Sequence, residues 1–194
     1  IPFKSIVSRI NNNKSSFSID CLDTRFPLNK PLIVLVNRYS ASASEIVAGA
    51  IQDYKRGLVV GHRTFGKGTV QKLDNLSTGQ IKITESKYFR ISGSSMQNKG
   101  VFPDIVLPST WDIESVGESS YPTSLEWEKI RPYNFKEFDL DKQIIESLKE
   151  NHLSRSISDA NLIYMNEIKK NYDINKNKKF TSLNIEKRKN EKDL

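Results

Sequence analysis

The run Pro31-Leu32-Ile33-Val34-Leu35-Val36-Asn37 does most to narrow what this chain can fold into. It is continuously apolar, of strand length and rich in β-branched residues, which suits a strand buried on both faces of an α/β sheet. After the link Arg38-Tyr39-Ser40, residues 42–56 carry Ile46, Val47, Ala50, Ile51 and Tyr54 at spacings that place them on one helical stripe. Gly57 stands where it can end that helix. Leu58-Val59-Val60-Gly61 reads as a second short buried strand, so the segment predicts a strand-helix-strand unit with parallel pairing.

The pattern from Val70 to Ile91 is extended, with Ser77-Thr78-Gly79 placed as a hairpin turn. Gly100-Val101-Phe102-Pro103-Asp104 then predicts a turn before the strand-like Ile105-Val106-Leu107. The chain thus divides into a polar lead-in (1–30), a core (31–108), a connector (109–135) and a helical extension with a basic tail (136–194). The lead-in holds a weak strand at Ser16–Cys21 and turn material at Pro27 and Asn29, and the connector carries Trp111, Trp127 and Tyr133. Helices are predicted over Leu140–Glu150 and Leu153–Tyr172, and the Lys/Asn-rich stretch from Asn175 to Leu194 is expected to fray or lie on a surface.

At 194 residues and 37% apolar content, the chain supports one globular unit with polar extensions. Its net charge of +7 is spread along the sequence, densest in the last third, without an aromatic-interleaved basic module. That pattern argues against nucleic acid as a partner. Cys21 is alone, so no internal disulfide forms. No stretch approaches the roughly 18 apolar residues of a membrane span. Because the chain opens at Ile1-Pro2-Phe3 without an initiator Met, it reads like the interior of a longer protein, and the lack of a targeting segment carries little meaning.

Two loops hold the chemistry. Ser40-Ala41-Ser42-Ala43-Ser44-Glu45 follows the first strand, and Thr64-Phe65-Gly66-Lys67-Gly68-Thr69-Val70-Gln71 follows the second. Together they offer a serine nucleophile activated by an amine. Ser42 and Glu45 also form S-x-x-E at a helix start, so Ser42 has an equally direct structural reading as a helix cap. As a nucleophile, Ser42 would present its hydroxyl at the carboxyl edge of the sheet with the Ala43 amide aimed at a developing oxyanion. Lys67 is a solvated loop lysine on the plain reading. Its neighbours Phe65, Gly66, Gly68 and Val70 would instead enclose it and favour the neutral amine that a base requires. Gln71 either positions that amine or is an ordinary polar residue on a strand; four residues of straight strand span roughly 13 Å, so the glycine loop must bend for the two to meet.

Gly61 to Lys67 matches the first part of a phosphate-binding loop, G-x-x-x-x-G-K. Gly68 stands where the metal-binding Ser or Thr belongs, and Thr69-Val70-Gln71 continue as strand where a helix is needed, which argues against nucleotide binding. The two histidines, His62 and His152, do not support a histidine triad, and no metal-ligand cluster or cofactor motif is present. Asp53 lies roughly 16 Å along the helix axis from Ser42, which excludes direct contact and leaves it a supporting role.

These residues resemble the carboxyl-terminal processing peptidases, the family of the tail-specific proteases. The resemblance runs from about Pro31 to Pro108 through N-R-Y-S-A-S-A-S-E-I, Q-D-Y, V-V-G, T-F-G-K-G-T-V-Q, K-Y-F-R-I and K-G-V-F-P-D-I, and more weakly through T-S-L-N to the Lys-rich end. The spacing of 25 from Ser42 to Lys67 selects Ser42 over Ser40 and Ser44. The resemblance implies a crotonase- or Clp-like α/β core, here its C-terminal half, followed by an α-helical extension. It further implies Ser42 as nucleophile, Lys67 as general base, Gln71 as its positioning partner, Ala43 as an oxyanion amide and Asp53 as a residue needed for activity. The enzyme so implied is a cofactor-independent serine endopeptidase of the periplasm, cleaving proteins with apolar C-termini, with an adaptor protein and peripheral membrane association among its possible partners. Family members also carry an upstream PDZ module and a glycine-rich turn that supplies the second oxyanion amide; neither is visible before Pro31. Taken as complete, the chain is therefore expected to be inactive or weak, since one lost oxyanion donor costs about 10²–10³ in rate. The contrasting expectation is a non-catalytic remnant or interaction module with the same fold.

Overall fold

The computed structural model describes residues 7–11, 16–19, 30–138 and 142–192. Cys21, the turn at Pro27 and Asn29, and the helix start at Leu140 lie outside them. Two sheets form. A parallel sheet contains β3 (Ile33–Val36), β4 (Leu58–Gly61) and β7 (Ile105–Val106), in the order β3-β4-β7. An antiparallel sheet has the order β2-β1-β6-β5, from β1 (Val7–Asn11), β2 (Ser16–Ile19), β5 (Thr69–Asn75) and β6 (Gln80–Phe89). The strand-helix-strand unit, the hairpin and the short last strand fall where the sequence places them. β1 does not: with two apolar residues in five it gives no alternation, and it is held by backbone pairing to β6 and β2.

α1 (Ala43–Asp53) packs on the parallel sheet. Ala48 and Ile51 enter a cluster with Val36, Val59, Met96 and Val101, while Ala50 and Tyr54 meet Ile91, Phe135 and Phe138. The expected stripe is therefore corrected at one position, since Val47 is 53% exposed and Ala48 takes the buried place. β3 is also corrected. Val36 is buried, but Ile33 is 59% and Leu35 75% exposed, because among the described residues α1 covers only one face of the sheet.

The helix ends earlier than Gly57. Lys55, at φ 52°, takes the left-handed position after Tyr54, with Lys55 N–H on the Gln52 carbonyl and Arg56 N–H on the Ile51 carbonyl, both at 2.9 Å. That pair of bonds is a Schellman closure on a non-glycine residue. Gly57 is needed for a different reason: a Cβ there would lie 2.4 Å from the Leu32 carbonyl oxygen, against which the chain enters β4.

The connector closes over this core by aromatic contacts. Trp111 meets Tyr39 edge to face at 4.8 Å, and Trp127 donates its indole N–H to the Ser95 carbonyl at 2.8 Å under the Lys99 ammonium. Beyond it lie α2 (Lys142–Ser156), α3 (Ala160–Asn175) and α4 (Ile185–Lys192). α4 departs from the frayed end expected there: Asn184 accepts from the Glu186 and Lys187 amides and starts the helix as a cap. No helix among the described residues is long and apolar enough to cross a membrane.

Candidate active site

Ser42 stands at the carboxyl edge of the parallel sheet, between β3 and α1, at φ 55° and ψ −113°. This is a left-handed φ that a non-glycine residue holds only where its surroundings impose it, a condition frequent at functional sites. Half of the capping box forms, the Glu45 carboxylate taking the Ser42 N–H at 2.9 Å. The Glu45 N–H, however, is bound to the Ser42 backbone carbonyl at 2.9 Å, and the Ser42 hydroxyl makes no side-chain cap bond. The neighbouring Ser40 hydroxyl is committed to the Asn37 N–H at 3.1 Å, and Ser44 is exposed on the helix.

Glu45 explains how the two loops meet. Its carboxylate is fully buried, and Oε1 accepts from the Thr64 hydroxyl and from Gly66 N–H at 2.7 Å. Oε2 accepts from both Ser42 N–H and Lys67 N–H, each at 2.9 Å. One oxygen thus holds the backbones of Ser42 and Lys67 no further apart than twice that distance. Phe65 N–H adds a second tie to the Ser40 carbonyl at 3.0 Å. Burial pushes the Glu45 carboxyl above the ordinary glutamate range, opposed by the four donors from Thr64, Gly66, Ser42 and Lys67.

The lysine loop is also held from behind. Gly68 N–H donates to Gln97 Oε1 at 2.9 Å, Asn98 N–H to the Gly66 carbonyl at 2.9 Å, and Gln97 is fully buried. Gly66 has φ 93° and its Cα faces the Asn98 backbone, where a Cβ would lie 2.9 Å from the carbonyl carbon. Arg38 clamps the outside of the network. Its buried guanidinium donates to the carbonyls of Thr64, Val116 and Ile113.

Lys67 and Gln71 line one cavity of about 380 Å³ together with Phe65, Thr69, Glu118 and Tyr121. Lys67 is half-buried on its wall rather than enclosed, and Gln71 is exposed. The bend that brings them together includes a register shift between Val70 and Gln71 in the β5–β6 pairing. Ser42 is joined to this cavity through Glu45 and is not among its lining residues. Ala43 is the first residue of α1, where the helix dipole favours negative charge.

Asp53 lies at the other end of α1. Its carboxylate takes Arg90 Nη2 at 2.5 Å, Arg90 Nε at 3.1 Å and the Ser92 hydroxyl at 3.1 Å. Arg90 follows β6, so Asp53 ties α1 to the hairpin that begins at the lysine loop. Glu45, Thr64, Gln97 and Arg38 were not singled out as functional from sequence; only Glu45 left a signal, the S-x-x-E spacing. The loop does not hold phosphate in this arrangement, since the Gly66 and Lys67 amides are taken by a carboxylate and Thr69 begins a strand. Among the described residues no group of three or more His, Cys, Asp or Glu side chains is placed to hold a metal.

His62 does not line the Lys67 cavity and lies in a second one with His152. Burial holds its imidazole below the ordinary histidine range; the Arg63 backbone opposes this, and the Arg38, Lys169 and Arg63 charges add to it. The native state therefore binds this proton less readily than the unfolded chain. Its contribution to stability is present above the unfolded value of about 6.5 and is lost as pH falls below it. His62→Gln is expected to flatten the decline in the urea midpoint as pH falls below about 6.5; an unchanged slope would assign that decline elsewhere.

Comparison with known proteins identifies the family of the chain. Residues 2–107 match peptidase family S41, and residues 111–194 match the C-terminal domain of tail specific protease. The tail-specific protease of Haemophilus influenzae is 40% identical over 174 residues, covering 84% of this chain and 25% of that protein. The carboxy-terminal-processing protease of Bartonella bacilliformis is 51% identical over 79 residues, 40% of this chain and 18% of that one. Among solved structures, the photosystem II D1 C-terminal processing protease is similar at 38% identity and a TM-score of 0.46, over 55% of this chain and 28% of that one. The chain spans a quarter or less of the length of these curated relatives. With the family match covering more than half its residues, the chain belongs to peptidase family S41, of the carboxyl-terminal-processing type.

Proposed function

We propose that this chain carries the nucleophile and base of a serine endopeptidase that cleaves polypeptides by a Ser42–Lys67 dyad. The observation that carries the reading is the shared Glu45 oxygen, which fixes the strained Ser42 backbone to the Lys67 backbone across 25 residues of sequence. Ser42 Oγ attacks the scissile carbonyl while the Lys67 amine accepts its proton and returns it to the leaving amine; water then resolves the acyl-enzyme. Gln71 positions the amine from the same cavity wall, and the Ala43 N–H faces the developing oxyanion at the head of α1. Asp53 acts at a distance, keeping α1 and the hairpin in register through Arg90.

The substrates on this reading are proteins with apolar C-termini, met in the periplasm, with delivery by an adaptor or at a membrane surface. The test is hydrolysis of one unfolded polypeptide made with an apolar or a doubly acidic tail. The apolar version is expected to be cut at least about tenfold faster, roughly 1.4 kcal/mol in transition-state binding. Equal rates would remove tail selectivity from the proposal while leaving the dyad standing.

A further inference from the structure

The second cavity, about 350 Å³, lies where the carboxyl ends of two parallel strands meet the helical extension. His62 follows β4, Val106 belongs to β7, His152 comes from α2, and Leu162 and Lys169 from α3. Crevices outside the carboxyl ends of parallel strands are the usual ligand positions of α/β sheets, and the volume falls in the small-molecule range. No acidic side chain lines this one. Its fixed cation is Lys169, with the Arg155 guanidinium 3.4 Å from His152 Nδ1 just outside. His62 Nδ1 is buried without a hydrogen-bond partner.

We propose that this cavity binds a carboxylate on an apolar body, with the Lys169 ammonium opposite the charge, His152 and Asn166 as flanking donors, and Leu162 with Val106 as the apolar wall. Lys169 pairs with Asp173, whose side chain is 44% exposed. A surface pair of this kind is weak and exchanges readily, so an entering carboxylate can replace one anion by another on Lys169. A phosphate is a poorer match, because a dianion calls for paired guanidinium groups or several cations and the cavity wall offers one. The carboxylate has two sources, a free small acid or the end of a polypeptide. The second rests on the peptidase reading; the ion chemistry of the cavity does not.

The test is calorimetric titration of the full chain carrying Ser42→Ala, so that turnover plays no part and failure of the peptidase reading leaves the result intact. The probes are N-acetyl-leucine, its C-terminal amide, and an N-acetylated tetrapeptide acid ending in leucine. The acids are expected to bind at least about tenfold tighter than the amide, to weaken as salt rises, and to lose about tenfold on Lys169→Ala. Lys169→Met, which keeps the apolar stem, should lose as much. A tighter tetrapeptide identifies a polypeptide end and equal acids identify a small ligand; both uphold carboxylate recognition. Equal binding of acid and amide, no binding of either acid, or affinity unchanged in both Lys169 variants overturns it.

Discussion

Lys67→Ala is expected to lower peptide hydrolysis by about 10⁴-fold, and Ser42→Ala by a similar factor, with the double variant no slower than either single one. Groups that act as one unit lose their function together, so the two effects do not add. The expectation follows from the division of labour in the proposed dyad: without the amine, Ser42 would keep its place but have no acceptor for its proton, and without the hydroxyl the amine would have nothing to activate. Residual turnover in either variant would come from binding and the oxyanion donors alone. Initial-rate measurements on the apolar-tailed substrate read this out. An additive double loss would mean that the two residues act in separate steps.

The second large effect is on stability. Glu45→Leu removes the carboxylate that accepts from four buried or half-buried donors, those of Ser42, Thr64, Gly66 and Lys67. Hydrogen bonds to a charged group are the stronger class, and stranding buried donors costs about 1–3 kcal/mol each, although the exchange also removes a costly buried charge. The net loss is expected to be about 4 kcal/mol, read as a fall in the denaturant midpoint. Glu45→Gln keeps one acceptor oxygen but turns an NH₂ toward two donors, and about half that loss is expected. If Glu45→Leu were neutral, the carboxylate would be dispensable to the loop junction, and the Ser42 and Lys67 backbones would be held by other contacts.

How much of this was legible in the sequence depended on whether the signal was local. The strand-helix-strand unit was legible because β3, α1 and β4 each carry their own periodicity. The pairing of Ser42 with Lys67 was legible as a spacing and a resemblance. What holds them together was not. Glu45 showed itself only as the fourth residue of a capping box, since its three other loop partners, Thr64, Gly66 and Lys67, are distant in sequence, and the last two contribute backbone amides that any residue would offer. Arg38 and Gln97 look like ordinary polar residues, and only the fold reveals that both are fully buried. Val47 and Ala48 exchanged places because an alanine weighs little in a hydrophobic stripe but fits where α1 lies closest to the sheet. β1 has two apolar residues in five and no periodicity of its own, so its backbone pairing with β6 left no mark in the sequence.

The central claim is that Lys67 activates Ser42 and no other serine of the Ser40–Ser42–Ser44 cluster. It is tested most directly by treating the protein with a serine-reactive fluorophosphonate and mapping the adduct by mass spectrometry. The account predicts a single adduct on Ser42, absent in Ser42→Ala and formed at least about 10²-fold more slowly in Lys67→Ala, the scale of general-base assistance. Modification of Ser40 or Ser44 instead, or labelling of Ser42 at an undiminished rate without Lys67, would contradict it.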